Sequence, residues 1–251
     1  MTTADTTAIR ETPVDRWYGV YPAVVHDVAD PEHLGRVSVH LPFSADQGGP
    51  GPTSKAQALV LWARVAVPSA GSGYGLWCRP HSGDEVLVAF EGGDPARPYV
   101  VGCLWSRPSP PPPDRDDSSD NRTTVLRTRQ GSVILLDDSQ GEERVEIRTP
   151  GGVRLTLADG PSANLELQTA EGRKIELDDG ANRVKITDPA GSTIELGPGG
   201  VTVAANQVAI DASNVTVNAA NASFSGVVQC DTLIANSVVA KSYTPGAGNI
   251  W

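Results

Sequence analysis

In the second half of the chain, apolar residues recur in pairs separated by one other residue. Such pairs are Val145-x-Ile147, Val153-x-Leu155, Leu165-x-Leu167, Ile175-x-Leu177, Val184-x-Ile186 and Ile194-x-Leu196, and successive pairs begin eight to twelve residues apart. Alternation with a period of two places one face of a strand in a core and the other in water. Between the pairs lie turn formers such as Asp159-Gly160-Pro161, Asp178-Asp179-Gly180 and Asp188-Pro189-Ala190-Gly191. From Val201 the spacing tightens to seven, through Val201-x-Val203, Val208-x-Ile210, Val215-x-Val217 and Ala222-x-Phe224. A coiled-coil heptad sets its core residues three and four apart, whereas these lie two and then five apart, so short strands are predicted throughout.

Each such strand offers only two or three inward apolar residues, and short hairpins are marginal in water. Identical chains around a common axis would close the cross-section, pair the strand edges and enclose the thin core. That accounts for the pattern better than a single-chain solenoid, whose coils are usually longer. The pattern does not count subunits. The predicted core of this needle includes Val184, Ile186, Ile194, Leu196, Val201, Val203, Val208, Ile210, Val215, Val217 and Phe224.

The first half reads differently. Five apolar segments, Tyr18–Val28, Arg36–Leu41, Leu59–Val67, Glu85–Phe90 and Tyr99–Trp105, are separated by Gly-, Pro- and Asp-rich turns. None shows a sustained helical period, and five short strands fit a small closed OB-like barrel. The predicted organisation is therefore all-β: a flexible segment 1–16, a barrel 17–106, a linker 107–121, a β-helical needle 122–240 and a tail 241–251. The linker contains Pro110–Pro113 and then a charged Asp/Ser run, which predicts a stiff, extended spacer.

Composition narrows the function. The net charge is −10, which opposes phosphate binding. A single-strand binder needs a basic groove with stacking aromatics, yet residues 17–106 hold Arg36, Lys55, Arg64, Arg79 and Arg97 against eight acids. Trp62, Trp77 and Trp105 are assigned to core or subunit contacts, and an OB-fold nucleic-acid-binding protein is the alternative reading. No signal peptide or spanning segment is read in the sequence, which predicts synthesis in the cytoplasm.

No catalytic, cofactor or metal site is predicted. His26, His33, His40 and His81 lack partners at ligand spacing, and are read as barrel-surface residues. His81-Ser82-Gly83-Asp84 cannot converge as a triad and reads as a turn. Paired acids such as Asp137-Asp138 and Asp178-Asp179 follow the turns, with no cleft between carboxylates. Cys78, Cys103 and Cys230 are expected to be small buried residues.

Several stretches resemble the phage baseplate assembly protein V and VgrG-like spike proteins of contractile injection systems. They are DPEHLGRVSVHLP (Asp30–Pro42), WARVAVPSAGSGYG (Trp62–Gly75), PHSGDEVLVAFEGGDPARPYVVGCLW (Pro80–Trp105), the repeated units typified by Gly172–Asp179, and SYTPGAGNIW (Ser242–Trp251). The resemblance implies a non-enzymatic homotrimer with an OB-fold, a triple-stranded β-helix and a tip that meets a PAAR-like protein or pierces a cell envelope. Tyr243, Pro245, Gly246, Gly248, Asn249, Ile250 and Trp251 are the expected tip-docking residues. Only some sixteen residues precede the barrel, so the tail-tube hub is expected to be a separate protein. Some relatives carry a terminal His-x-His iron site; no histidine follows His81, so no such iron is expected. No small-molecule substrate and no nucleic acid are expected as partners.

Overall fold

A computed structural model describes residues 16–41, 60–160 and 164–242. The chain divides into two units, one ending at Ala204 and the other beginning at Ala205.

The first unit opens with a closed barrel. Its strands are β1 (Val20–Asp27), β2 (Val37–His40), β3 (Val60–Val65), β6 (Glu85–Phe90) and β7 (Pro98–Leu104), in the order β1-β2-β3-β7-β6. All pairs are antiparallel except β3 with β7. A two-stranded hairpin, β4 (Ala70–Gly71) and β5 (Tyr74–Gly75), sits between β3 and β6. The alternation works as the sequence predicts: Val86, Val88 and Phe90 on β6 point inward to meet Ala23, Val25, Val37, Val39, Leu41, Ala63 and Val100. Trp17 and Tyr21 close one end against Phe90, with ring centroids 5.1–5.7 Å apart.

Asp30 shapes the β1–β2 loop. Its carboxylate accepts the backbone N–H groups of Glu32 (3.1 Å), Leu34 (2.9 Å) and Arg36 (3.1 Å), and the Arg36 guanidinium at 2.8 Å. The Arg36 bond, followed by those backbone donors, outweighs desolvation and holds the Asp30 carboxyl well below the usual range. A depressed carboxyl contributes stability above its unfolded value, near 3.8, and loses it as pH falls through the folded value. Asp30→Asn is therefore expected to lower the melting temperature at neutral pH. The gap to the wild type should close only below about pH 4, and a pH series of melting curves checks this.

A nine-stranded antiparallel meander follows: β8 (Thr123–Arg127), β9 (Val133–Asp137), β10 (Arg144–Arg148), β11 (Arg154–Ala158), β12 (Asn164–Gln168), β13 (Lys174–Asp178), β14 (Arg183–Thr187), β15 (Thr193–Gly197) and β16 (Gly200–Ala204). Alternate hairpins share one turn. Thr128, Thr149, Thr169 and Asp188 each donate a backbone N–H to the carbonyl four residues on, at 2.9 Å. A left-handed glycine precedes that residue in every case: Gly131, Gly152, Gly172 and Gly191, with φ between 86° and 96°. The structural repeat is thus a hairpin of about twenty residues, twice the unit read from the apolar pairs.

The linker is no free spacer. The Arg115 guanidinium donates to the carbonyls of Pro111 (3.1 Å) and Pro112 (2.7 Å), and the Asp116 N–H donates to Thr123 Oγ1 at 2.6 Å. Asp114 accepts from both Arg127 and Arg148. Those arginines flank Val133 in register, so the linker lies across this edge of β9, where Val133 and Leu135 are buried. Bonds to the Asp116 carboxylate from the Arg122 and Ser118 backbones and the Ser118 hydroxyl hold its pKa at about 2. Asp114→Ala is expected to cost about 1–3 kcal/mol and to open 107–121 to limited proteolysis.

Two further expectations change. Cys78, Cys103 and Cys230 are exposed: Cys103 follows the bulged register of β6 and β7, and Cys78 lies in the connection before β6. In the second unit, the described residues 205–242 form no strand and are all exposed. Seven-residue units have no room for a hairpin that would pair the chain with itself.

Candidate functional site: an uncovered apolar sheet face

The register of the meander stacks like on like. Ile134, Ile147, Leu155, Leu167, Ile175, Ile186, Ile194 and Val203 are paired neighbours in one row across β9–β16. Leu136, Val145, Leu157, Leu165, Leu177, Val184, Leu196 and Val201 form the adjacent row on the same face. The two rows run unbroken. Most of these side chains are more than a third exposed, from 36 % at Val184 to 67 % at Val201.

The opposite face carries charge, yet it is the better covered of the two. Its central row runs Glu146, Thr156, Glu166, Glu176, Lys185 and Glu195. Lys174 Nζ sits 2.5 Å from both Glu166 and Glu176, Arg183 pairs with Glu176, and Lys185 lies 3.3 Å from Glu195. Glu166 and then Glu176 push the Lys174 pKa up, and Lys174 is the main group pulling that of Glu176 down. Long charged stems that pair across strands shield one another, whereas among the described residues of the first unit nothing covers the apolar rows.

A contiguous apolar surface of this extent exceeds what a monomer normally leaves in water. Closing it against apolar partners is worth on the order of 1 kcal/mol per side chain, repeated along both rows. Chemically the face can exclude water and build a core, and it offers no nucleophile or acid–base pair.

The expected needle positions divide between the two units. Val184, Ile186, Ile194, Leu196, Val201 and Val203 lie together on the apolar face of β14–β16. They are not buried by their own chain. Val208, Ile210, Val215, Val217 and Phe224 lie in the second unit, exposed and outside any strand. Tyr243, Pro245, Gly246, Gly248, Asn249, Ile250 and Trp251 fall outside the described residues. The face also extends through β9–β13, which the core list omitted although the same alternation marks those strands.

The remaining candidates have local roles. Ser82 Oγ donates to the His26 carbonyl at 2.8 Å, and Asp84 accepts the His81 N–H at 2.7 Å, so His81–Asp84 forms a capped turn. Trp62 is half-buried, while Trp77 and Trp105 are exposed, so none of the three joins the barrel core.

Comparison with known proteins gives separate matches for the barrel and for the later strands. Residues 21–105 match the family described as the type VI secretion system/phage-baseplate injector OB domain, and 164–223 match the phage baseplate V C-terminal trimerisation domain. The type VI secretion system spike protein VgrG3 of Vibrio cholerae is 38 % identical over 71 residues, 28 % of this chain and 6 % of that protein. The spike protein VgrG4b of Pseudomonas aeruginosa is 38 % identical over 104 residues, 40 % of this chain and 12 % of its own. The actin cross-linking toxin VgrG1 of Vibrio cholerae is 31 % identical over 117 residues, 45 % and 10 % of the two chains. The matched segments thus span between 6 % and 12 % of those relatives. The chain thus matches an injector OB domain and, after it, a phage-baseplate V trimerisation domain, and parts of it are similar to VgrG spike proteins of type VI secretion.

Proposed function

We propose that this chain is the structural central spike of a contractile phage tail or related injection system. Three copies close their apolar faces on a common axis and wind into a β-helical needle, while the charged faces meet water. The single observation behind this reading is the pair of unbroken apolar rows left uncovered on β9–β16. Each strand of the needle then gains partners from neighbouring chains, and the seven-residue units after Val201 find there the pairing they lack alone. Force from a contracting sheath passes down a shaft held by backbone hydrogen bonds and a closed core.

In this role the protein is not an enzyme. The barrels seat the trimer on the hub of the tail tube. The tail from Tyr243 to Trp251 docks a PAAR-like tip protein, and the complex works in the assembled particle against a cell envelope. Analytical ultracentrifugation of the full chain is expected to give three times the 26.3 kDa chain mass, and a species at the chain mass would overturn the reading. Deleting 243–251 is expected to abolish capture of a PAAR-like protein while the trimer persists. Capture undiminished by the deletion would remove the tip assignment.

A further inference from the structure

The meander has two lateral margins of opposite charge. One consists of the shared turns and the strand ends they join, at 127–133, 148–154, 168–174 and 187–193. It holds Arg127, Arg129, Arg148, Arg154, Arg173 and Lys174 against two acids, Glu171 and Asp188. The other consists of the alternate turns and their strand ends, at 137–144, 158–160, 178–183 and 197–200. It holds seven Asp and Glu residues against two cations, Arg144 and Arg183.

Ion pairs within the chain use only part of this charge. Arg127 and Arg148 reach Asp114, Arg173 reaches Glu171 and Asp188, and Lys174 reaches Glu166 and Glu176. On the acidic margin Arg144 takes Asp137 and Arg183 takes Asp178. Among the described residues, Arg129 and Arg154 have no carboxylate partner, and Asp138, Glu142, Glu143, Asp159 and Asp179 have no cation.

The two ends of one strand are often complementary. Arg154 begins β11 and Asp159 follows it, while Arg173 and Lys174 open β13 and Asp178 and Asp179 close it. In β14 the signs invert at both ends together, with Arg183 first and Asp188 just past the last residue. Strand β10 has Arg144 and Arg148 at its ends, and both are neutralised within the chain.

The uncovered face is about 17 Å wide along its five-residue strands and about 38 Å long across the nine strands. Such strips close on a common axis along their length, so the apolar rows follow the axis and the strands run across it. Rotation about that axis sets the basic margin of one copy beside the acidic margin of the next, strand by strand. A copy turned end for end would bring like margins together. Exposed ion pairs add little affinity singly, but a margin of one sign penalises the wrong alignment.

We propose that the two margins form an interface between copies of this chain, the basic margin of one docking on the acidic margin of the next. Arg154 of one copy then faces Asp159 of its neighbour, and charge sets all copies parallel with their barrels at the same end. This rests on the closure of the apolar faces proposed above, and adds to it the orientation and register of the chains.

Cross-linking of the full chain tests the proposal. Cys78, Cys103 and Cys230, all exposed, are first changed to serine, and Arg154→Cys/Asp159→Cys is treated with a short bismaleimide. The two positions lie about 17 Å apart along β11 of one chain, so only links between copies raise the mass on a denaturing gel. The double variant is expected to give a covalent trimer, and each single variant the chain mass alone. A dimer from either single variant means that like margins meet, and overturns the proposal. So does a trimer in sedimentation that yields no cross-link, which leaves the closed apolar faces standing; a monomer in sedimentation overturns both. In the native-cysteine chain, Arg154→Glu is expected to weaken association at least about tenfold at low salt, read by sedimentation across a urea series. Adding Asp159→Arg is expected to restore it. A loss that the swap does not rescue, or no loss, removes charge as the ordering force.

Discussion

Ile175→Asp is expected to turn the trimer into a monomer. Ile175 sits mid-row on the apolar face, between Leu167 and Ile186, and is 39 % exposed in the single chain. In the closed needle, three copies of the substitution would bring three carboxylates close to one axis. Burying each without a partner costs several kcal/mol, on the order of 4–5 or more, and their mutual repulsion adds to it. Sedimentation velocity reads the outcome directly. Two controls separate this from general damage. Ile175→Val removes one methylene and should cost about 0.5–1.5 kcal/mol per chain, leaving the trimer intact. Glu176→Gln, next along the same strand but on the charged face, loses its ion pairs with Lys174 and Arg183. Lys174 keeps Glu166, so the loss should stay near 1 kcal/mol. A trimer that survives Ile175→Asp would remove the apolar face from the assembly.

Val39→Asp should have an equally large effect on the other half of the chain. Val39 is fully buried on β2, paired with Val25 and Leu61 inside the barrel. An unpaired carboxylate there costs more than about 4 kcal/mol, a large share of the stability of a small domain. The barrel is expected to unfold, shifting the tryptophan emission of Trp17 and Trp62, while the trimer mass persists because the needle rows are untouched. Loss of the trimer together with the barrel would mean that the barrels themselves hold the three chains together.

The five barrel strands were legible because short apolar runs are separated by Gly-, Pro- and Asp-rich turns; Glu85–Phe90, which alternates cleanly, matches the sequence reading residue for residue. The meander was legible for the same reason, although its repeat is a hairpin rather than a strand. The linker misled because prolines and aspartates look solvated one by one. Asp114 gains its role only from Arg127 and Arg148, 13 and 34 residues further on. A groove on the barrel was hidden similarly. A count over residues 17–106 shows more acid than base, and only the folding of four separate segments gathers Arg36, Arg64, Arg79 and Arg97 together.

By itself the sequence determined which residues alternate, where the chain turns, and so that it is all-β with an apolar stripe too thin to be its own core. Those properties are local, because side-chain periodicity and turn chemistry act over a few residues. The tertiary structure decided the register that joins the stripes into two continuous rows, and which face is left uncovered. It also decided that the charged face shields itself through cross-strand pairs such as Lys174 with Glu166 and Glu176. Register depends on contacts between strands, and no window along one strand contains them.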